Sequence, residues 1–136
     1  MPMKNRISVV TLAVRDLEVS RMFYCEGLGF TARPESSDRA VFIEMEKSWL
    51  SLFPREQLAR LAGVSPEGSG FSGVVLSHNV PAAEDVDRVM SLAVNAGATV
   101  SSPIEDGPFG RIGYFADPDG HLWEVAYTPK WPQLTE

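Results

Sequence analysis

The sequence predicts an α+β fold made of two consecutive βαβββ modules in one domain spanning residues 1–136. Three observations carry this reading. The order strand, helix, strand, strand, strand can be read twice along the chain, although the two halves share little sequence identity. A stretch dense in Gly, Ser and Pro, residues 63–72, separates the two readings near the middle. The second reading closes on Asp117-Pro118-Asp119-Gly120 between two apolar runs, a type I turn signal that predicts a hairpin. Module one covers 5–62, the linker 63–72, module two 73–129 and a C-terminal tail 130–136.

Each element has a local cause. Residues 6–14 are rich in β-branched side chains and read as a strand. Asp16 is a good N-cap and Glu18 favours the first turn, so 16–26 read as a helix, with Val19 and Phe23 on one buried face and Gly27 and Gly29 ending it. Strands are expected over 29–34, over Arg39 to Met45 and over Ser48 to Phe53. Pro54 then opens a short helix over 55–62, whose weakly apolar face is Leu58, Leu61 and Ala62 and whose end is Gly63. In module two, Gly73 to Val80 read as a strand. Val86, Val89, Met90, Ala93 and Val94 fall at i, i+3, i+4, i+7 and i+8, which predicts a helix over 82–96. Strands follow at 98–102, Ile112 to Ala116 and His121 to Thr128.

The bulk chemistry narrows the partners. The net charge of −6 repels phosphate backbones, so nucleic acid is not an expected partner. The single cysteine, Cys25, allows no intrachain disulfide and has no visible base to activate it. No signal-peptide pattern opens the chain and no apolar run approaches the roughly 20 residues a membrane helix needs, so a cytoplasmic protein with no membrane partner is the expectation.

The residues 11–17 (Thr-Leu-Ala-Val-Arg-Asp-Leu), then Phe23-Tyr24 and 27–30 (Gly-Leu-Gly-Phe), resemble the opening of a glyoxalase/bleomycin-resistance/extradiol-dioxygenase domain, of the vicinal oxygen chelate superfamily. Residues 113–125 (Gly-Tyr-Phe-Ala-Asp-Pro-Asp-Gly-His-Leu-Trp-Glu-Val) resemble its closing hairpin, and the likeness covers roughly 5–129. The resemblance implies an open, curved mixed sheet around a cleft, helices on the convex side, and a homodimer.

The resemblance also implies a divalent metal held by His, Gln or Glu from the first and last strands of each module. Counted from the matched motifs, those positions are Val9, Ser51, Val75 and Glu124. Valine has no donor atom and a serine hydroxyl is a weak ligand. One usual ligand of four remains, so a metal is not the expected cofactor and dioxygenase chemistry is disfavoured. By strand alternation Ser77 and Asn79 share the face of Val75, whereas His78 points with Leu76 and Val80 toward the helices as a core histidine. His78 becomes a candidate ligand or base only through a register slip. His121, beside the turn, is assigned a local hydrogen-bonding role.

Glu124 is the candidate catalytic residue or ligand acceptor, because a carboxylate on an apolar face has to be paired or used. Trp49, at spacing two from Ser51, and Tyr114 are candidate pocket walls, while Trp123 is expected under the helices. The segment 107–110 reads as a mobile loop at the cleft mouth, from which Phe109 covers a ligand and Arg111 meets an anionic group. The favoured function is binding of a small-molecule ligand in the cleft without the usual metal. The alternatives are a glyoxalase-type lyase or isomerase using Glu124 and a structural dimer with no ligand.

Overall fold

The computed structural model describes residues 3–136; Met1 and Pro2, included in the expected domain, lie outside the described residues. The chain divides into two compact units, 1–68 and 69–136, with the boundary inside the segment read as a linker.

Unit one opens with β1 (Val9–Val14) and α1 (Leu17–Arg21). Asp16 caps α1 by accepting a hydrogen bond from the Val19 amide at 3.1 Å. The helix then widens into a π-helical turn, Met22–Gly27. The expected buried face shifts by one residue: Ser20, Phe23 and Tyr24 are buried, while Val19 is 51% exposed. Spacings of three and four from Ser20 select this face, and Val19 lies beside it. Two further strands, β2 (Val41–Glu44) and β3 (Trp49–Pro54), complete the sheet in the order β1-β3-β2. β3 runs parallel to β1 and antiparallel to β2.

The strand expected over 29–34 does not form. One bridge, Ala32 to Ile43, is all that pairs there, held by the Arg33 amide donating to the Phe42 carbonyl at 2.7 Å. Pro34 follows with no amide to donate, and the chain turns away. The next helix, α2 (Arg55–Ala62), begins after Pro54 and ends at Gly63 as the sequence indicates. Its expected apolar face is not the buried one: Ala59 is buried and Leu61 is 75% exposed.

Unit two contains β4 (Val75–Asn79), α3 (Ala83–Ala96), β5 (Thr99–Gly107), β6 (Gly110–Ala116) and β7 (Leu122–Tyr127). The sheet order is β4-β7-β6-β5, with β4 and β7 parallel and the other pairs antiparallel. α3 buries Val86, Met90 and Ala93 of its expected face against this sheet, while Val94, expected on the same face, is exposed. β5 runs five residues past its expected end and accommodates Pro103 at the sheet edge through two register shifts.

Within the 107–110 segment, Pro108 and Phe109 are the two-residue connection of the β5–β6 hairpin, with Gly107 opposite Gly110. Gly110 has φ of +136°, and a Cβ there would lie 1.8 Å from the Tyr127 carbonyl oxygen, so only glycine fits. The closing hairpin forms as its turn signal predicts. Asp117 Oδ1 accepts from the amides of Asp119 (2.9 Å) and His121 (2.8 Å), and Gly120 takes the left-handed conformation at φ +86°. The tail ends in a 3-10 turn, Pro132–Thr135.

Candidate functional site

Alternation along the strands gives each sheet a buried face and a second, more open face. In unit two, Phe115, Trp123 and Val125 form the buried face, toward α3. The opposite face carries Val75, Ser77 and Asn79 of β4, Leu122, Glu124 and Ala126 of β7, and Ile112 and Tyr114 of β6.

Glu124 sits at the centre of that open face. Pairing sets Ser77 beside it on one side and Tyr114 on the other. Ser77 Oγ donates to Glu124 Oε1 at 3.0 Å, and Tyr114 Oη donates to Glu124 Oε2 at 2.6 Å. The second contact has the length of a charge-assisted hydrogen bond to an ionised carboxylate. It also raises the Tyr114 pKa, first through that hydrogen bond and then through desolvation and the charge of Glu124. Tyr114 is thus held as a neutral donor. A step along the strands, Asn79 Nδ2 donates to Thr128 Oγ1 at 2.9 Å. Beside Tyr114 lies a hollow of about 190 Å³, walled by Ser102, Pro103, Phe109 and Ile112.

The open face of unit one repeats this row with other chemistry. Ser51 on β3 has Thr11 beside it on β1 and Phe42 on β2. The Thr11 and Ser51 hydroxyls lie 2.7 Å apart in one hydrogen bond, and Ser51 is 1% exposed. Phe42 packs edge-on to Phe53 (ring centroids 6.0 Å apart) and near Trp49 (6.5 Å). The Arg33 guanidinium lies 4.4 Å over the Trp49 ring and is paired with Glu35 and Glu44.

The residues singled out from sequence divide accordingly. Ser77, Tyr114 and Glu124 come together, with Val75 and Asn79 on the same face. Val9, Trp49 and Ser51 share the open face of the other sheet, but Val9 stands opposite Trp49, and Thr11 is the residue beside Ser51. Val75 likewise stands opposite Leu122, with Ser77 beside Glu124. The counted positions thus share a face with Ser51 and Glu124, and their cross-strand neighbours are Thr11 and Ser77. Thr11, Arg33, Phe42 and Phe53 were missed; cross-strand register, the information that would have found them, is not a local signal.

Three expectations are corrected. Arg111 does not offer its charge to an anion on the Glu124 face. It points the opposite way, between Asp87 of α3 (2.9 Å) and Asp106 of β5 (3.0 Å), and these partners raise its pKa further. Odd positions of β6 face α3, so alternation from Tyr114 excludes Arg111 from the open face. Phe109, expected on a loop that covers a ligand, is at the tip of the tight β5–β6 hairpin and stacks on Trp131 with centroids 6.2 Å apart. His78 does face away from Glu124, but it is exposed rather than a core residue, because β4 is an edge strand. The Cys25 thiol is pushed up in pKa chiefly by burial, which disfavours the nucleophilic thiolate.

Residues 6–125 match the Glyoxalase/Bleomycin resistance protein/Dioxygenase superfamily. The chain belongs to that superfamily. A glyoxalase-related enzyme from Fulvimarina pelagi is 35% identical with a TM-score of 0.83, the match covering 93% of this chain and 90% of that one. A glyoxalase/bleomycin resistance protein/dioxygenase family enzyme from Burkholderia phytofirmans is 24% identical with a TM-score of 0.78, over 89% of this chain and 97% of that one, and shows the fold alone. An uncharacterized protein of Mycobacterium bovis is 50% identical over 42 residues, 30% of this chain; the match spans only 28% of that relative's length.

Membership of the superfamily raises the divalent metal, and the residues present do not fit one. Among the described residues, no three His, Cys, Asp or Glu side chains gather in an arrangement able to hold an ion. Glu124 has hydroxyl neighbours on both oxygens, and Val9, Ser51 and Val75 supply no strong ligand.

Proposed function

We propose that this superfamily member binds a small organic molecule on the sheet face that carries Glu124, without a metal, as a cytoplasmic homodimer. The observation that carries the reading is the Ser77–Glu124–Tyr114 row. A carboxylate at the centre of an otherwise weakly polar face, oriented by two hydroxyls, is a preorganised acceptor with no role in packing. The Tyr114 ring and Ile112 on the same face support an amphipathic or aromatic ligand class. No helix among the described residues is long and apolar enough to cross a membrane.

A thermal-shift screen against metabolites and antibiotics tests the reading. A specific ligand raises the melting temperature with its concentration, and this rise shrinks in Glu124→Gln. If no compound moves the midpoint, the binding role falls. Elemental analysis of the purified chain is expected to find no stoichiometric zinc, nickel, manganese or iron. One tightly held ion per chain, lost on Glu124→Gln, overturns the metal-free reading.

A second reading, a lyase or isomerase with Glu124 as general base, is favoured by the short Tyr114 hydrogen bond and by the 35% identity to a glyoxalase-related enzyme. In it the carboxylate takes a proton from a carbon acid while Tyr114 holds the carboxylate in place. Turnover of a bound compound, abolished in Glu124→Gln without loss of binding, selects it over simple binding.

A further inference from the structure

We infer that Glu124 takes the protonated amine of a small ligand whose apolar part crosses the Tyr114 ring into the neighbouring hollow walled by Ile112 and Phe109. The inference rests on the proposed binding role of this face and names the ligand class.

The argument begins with charge. Glu124 accepts one hydrogen bond on each oxygen, both from neutral hydroxyls. A carboxylate has about four acceptor sites, so capacity remains on both oxygens. Among the described residues no Lys, Arg or His pairs with it. Arg111, the basic residue of β6, is turned to the other face and held between Asp87 and Asp106. Glu105 adds negative charge in the wall of the hollow next to Tyr114, whereas Asp106 is already paired with Arg111. The site is therefore an oriented anion without a counter-ion, in a chain whose net charge is −6.

Each alternative ligand leaves something unmatched. An anionic group meets Glu124 and Glu105 with like charge. A neutral hydroxyl or amide satisfies a hydrogen bond and leaves the carboxylate charge uncompensated. A divalent ion lacks further strong ligands. An ammonium brings a positive charge and up to three donors, and the Tyr114 ring offers it a face. Size agrees: a void of about 150 Å³ accommodates a benzene ring, and the hollow is about 190 Å³. Pro103, Phe109 and Ile112 give it apolar walls.

The test uses three probes of one shape and different charge: 2-phenylethylamine, its N-acetyl derivative and 3-phenylpropionate. Their affinities for the full chain are measured by calorimetry at neutral pH. The amine is expected to bind about tenfold more tightly than the neutral analogue, and Glu124→Gln to bring the two level. The anion is expected to bind most weakly. Equal affinity for all three, or an amine affinity untouched by Glu124→Gln, overturns the amine assignment while leaving the binding role to the broader screen. Failure of the amine to bind at millimolar concentration overturns it as well. Should Glu124→Gln not fold, the carboxyl carbon resonance of Glu124 in the unaltered chain serves instead: it shifts on adding 2-phenylethylamine if the amine docks there, and a stationary resonance rejects the subsite.

Discussion

The two sheets place three residues in one row at equivalent positions, and the rows differ in chemistry. In unit one the row is Thr11, Ser51, Phe42; in unit two it is Ser77, Glu124, Tyr114. Each has a hydroxyl on the first strand, a polar residue on the parallel last strand and an aromatic on the antiparallel neighbour. Only the second row has a charge, and only there does the aromatic carry a hydroxyl to meet it. Ser51 without a charge is buried with Thr11 as its partner; Glu124 with one stays half-buried. The pairing geometry supplies the positions, and the side chains decide whether the row packs or binds.

The units also differ at the fourth strand, which unit one replaces with a single bridge. Gly110, where β5 turns into β6, is the most sensitive point of that difference. Gly110→Ala drives a Cβ into the Tyr127 carbonyl and is expected to cost about 4 kcal/mol in urea unfolding. Gly29→Ala, in unit one, meets no atom within 4 Å and costs only its strained backbone, at φ +88°, about 1 kcal/mol. Equal losses for the two would remove the distinction between a built and an unbuilt fourth strand.

Exchanging the rows sharpens the comparison further. Ser51→Glu buries a carboxylate beside Thr11 and Phe42 and is expected to destabilise the chain by about 2–3 kcal/mol. Adding Phe42→Tyr supplies the donor that Tyr114 gives Glu124, and the double variant is expected to recover about 1 kcal/mol. A double variant no more stable than Ser51→Glu alone shows that the rows are not equivalent in geometry.

Much of this architecture was legible in the sequence because its causes are local. The cap at Asp16, the periodicity of α3 and the turn at 117–120 are each specified within a few residues, and they formed as read. The 29–34 strand failed because β propensity there met Pro34 and no partner beyond β2. Val19 failed because a one-position shift of the buried face is invisible at the level of apolar spacing in so short a helix. For the site, alternation put Ser77 and Asn79 on the face of Val75, and the family resemblance supplied Glu124. Neither could pair them by row, since register belongs to the sheet and not to any one strand. Arg111 was placed by its loop rather than by the parity of β6, which alone would have turned it toward α3.

The Tyr114 link gives a smaller effect, read by titration rather than unfolding. The hydrogen bond to Glu124 is the first cause of the raised Tyr114 pKa. In Glu124→Gln that pKa is therefore expected to fall back toward the ordinary value of about 10, as followed by the ring-carbon resonance of Tyr114. Stability should change by only about 1 kcal/mol, because the pair is partly solvated. An unmoved Tyr114 titration would mean that the hydroxyl does not bond the carboxylate in solution.

The smallest predicted effect concerns the two arginines. Each unit holds an arginine between two carboxylates, but on opposite faces: Arg33 lies over Trp49 on the open face, and Arg111 lies against α3. The hydrogen bond from Arg111 lowers the Asp87 pKa, and the one from Arg33 lowers that of Glu35. A carboxyl with a depressed folded-state pKa stabilises above its unfolded value and loses that contribution as pH falls through the folded value. Asp87→Asn should therefore be less stable than the unaltered chain at neutral pH, and the gap should close as pH drops below about 4. Glu35→Gln should behave alike, from a similarly small gap, since both pairs are exposed and screened by salt. Urea midpoints measured across that range check both. A gap that stays constant with pH would show that the substitutions act through packing, and that neither arginine clamp contributes through charge.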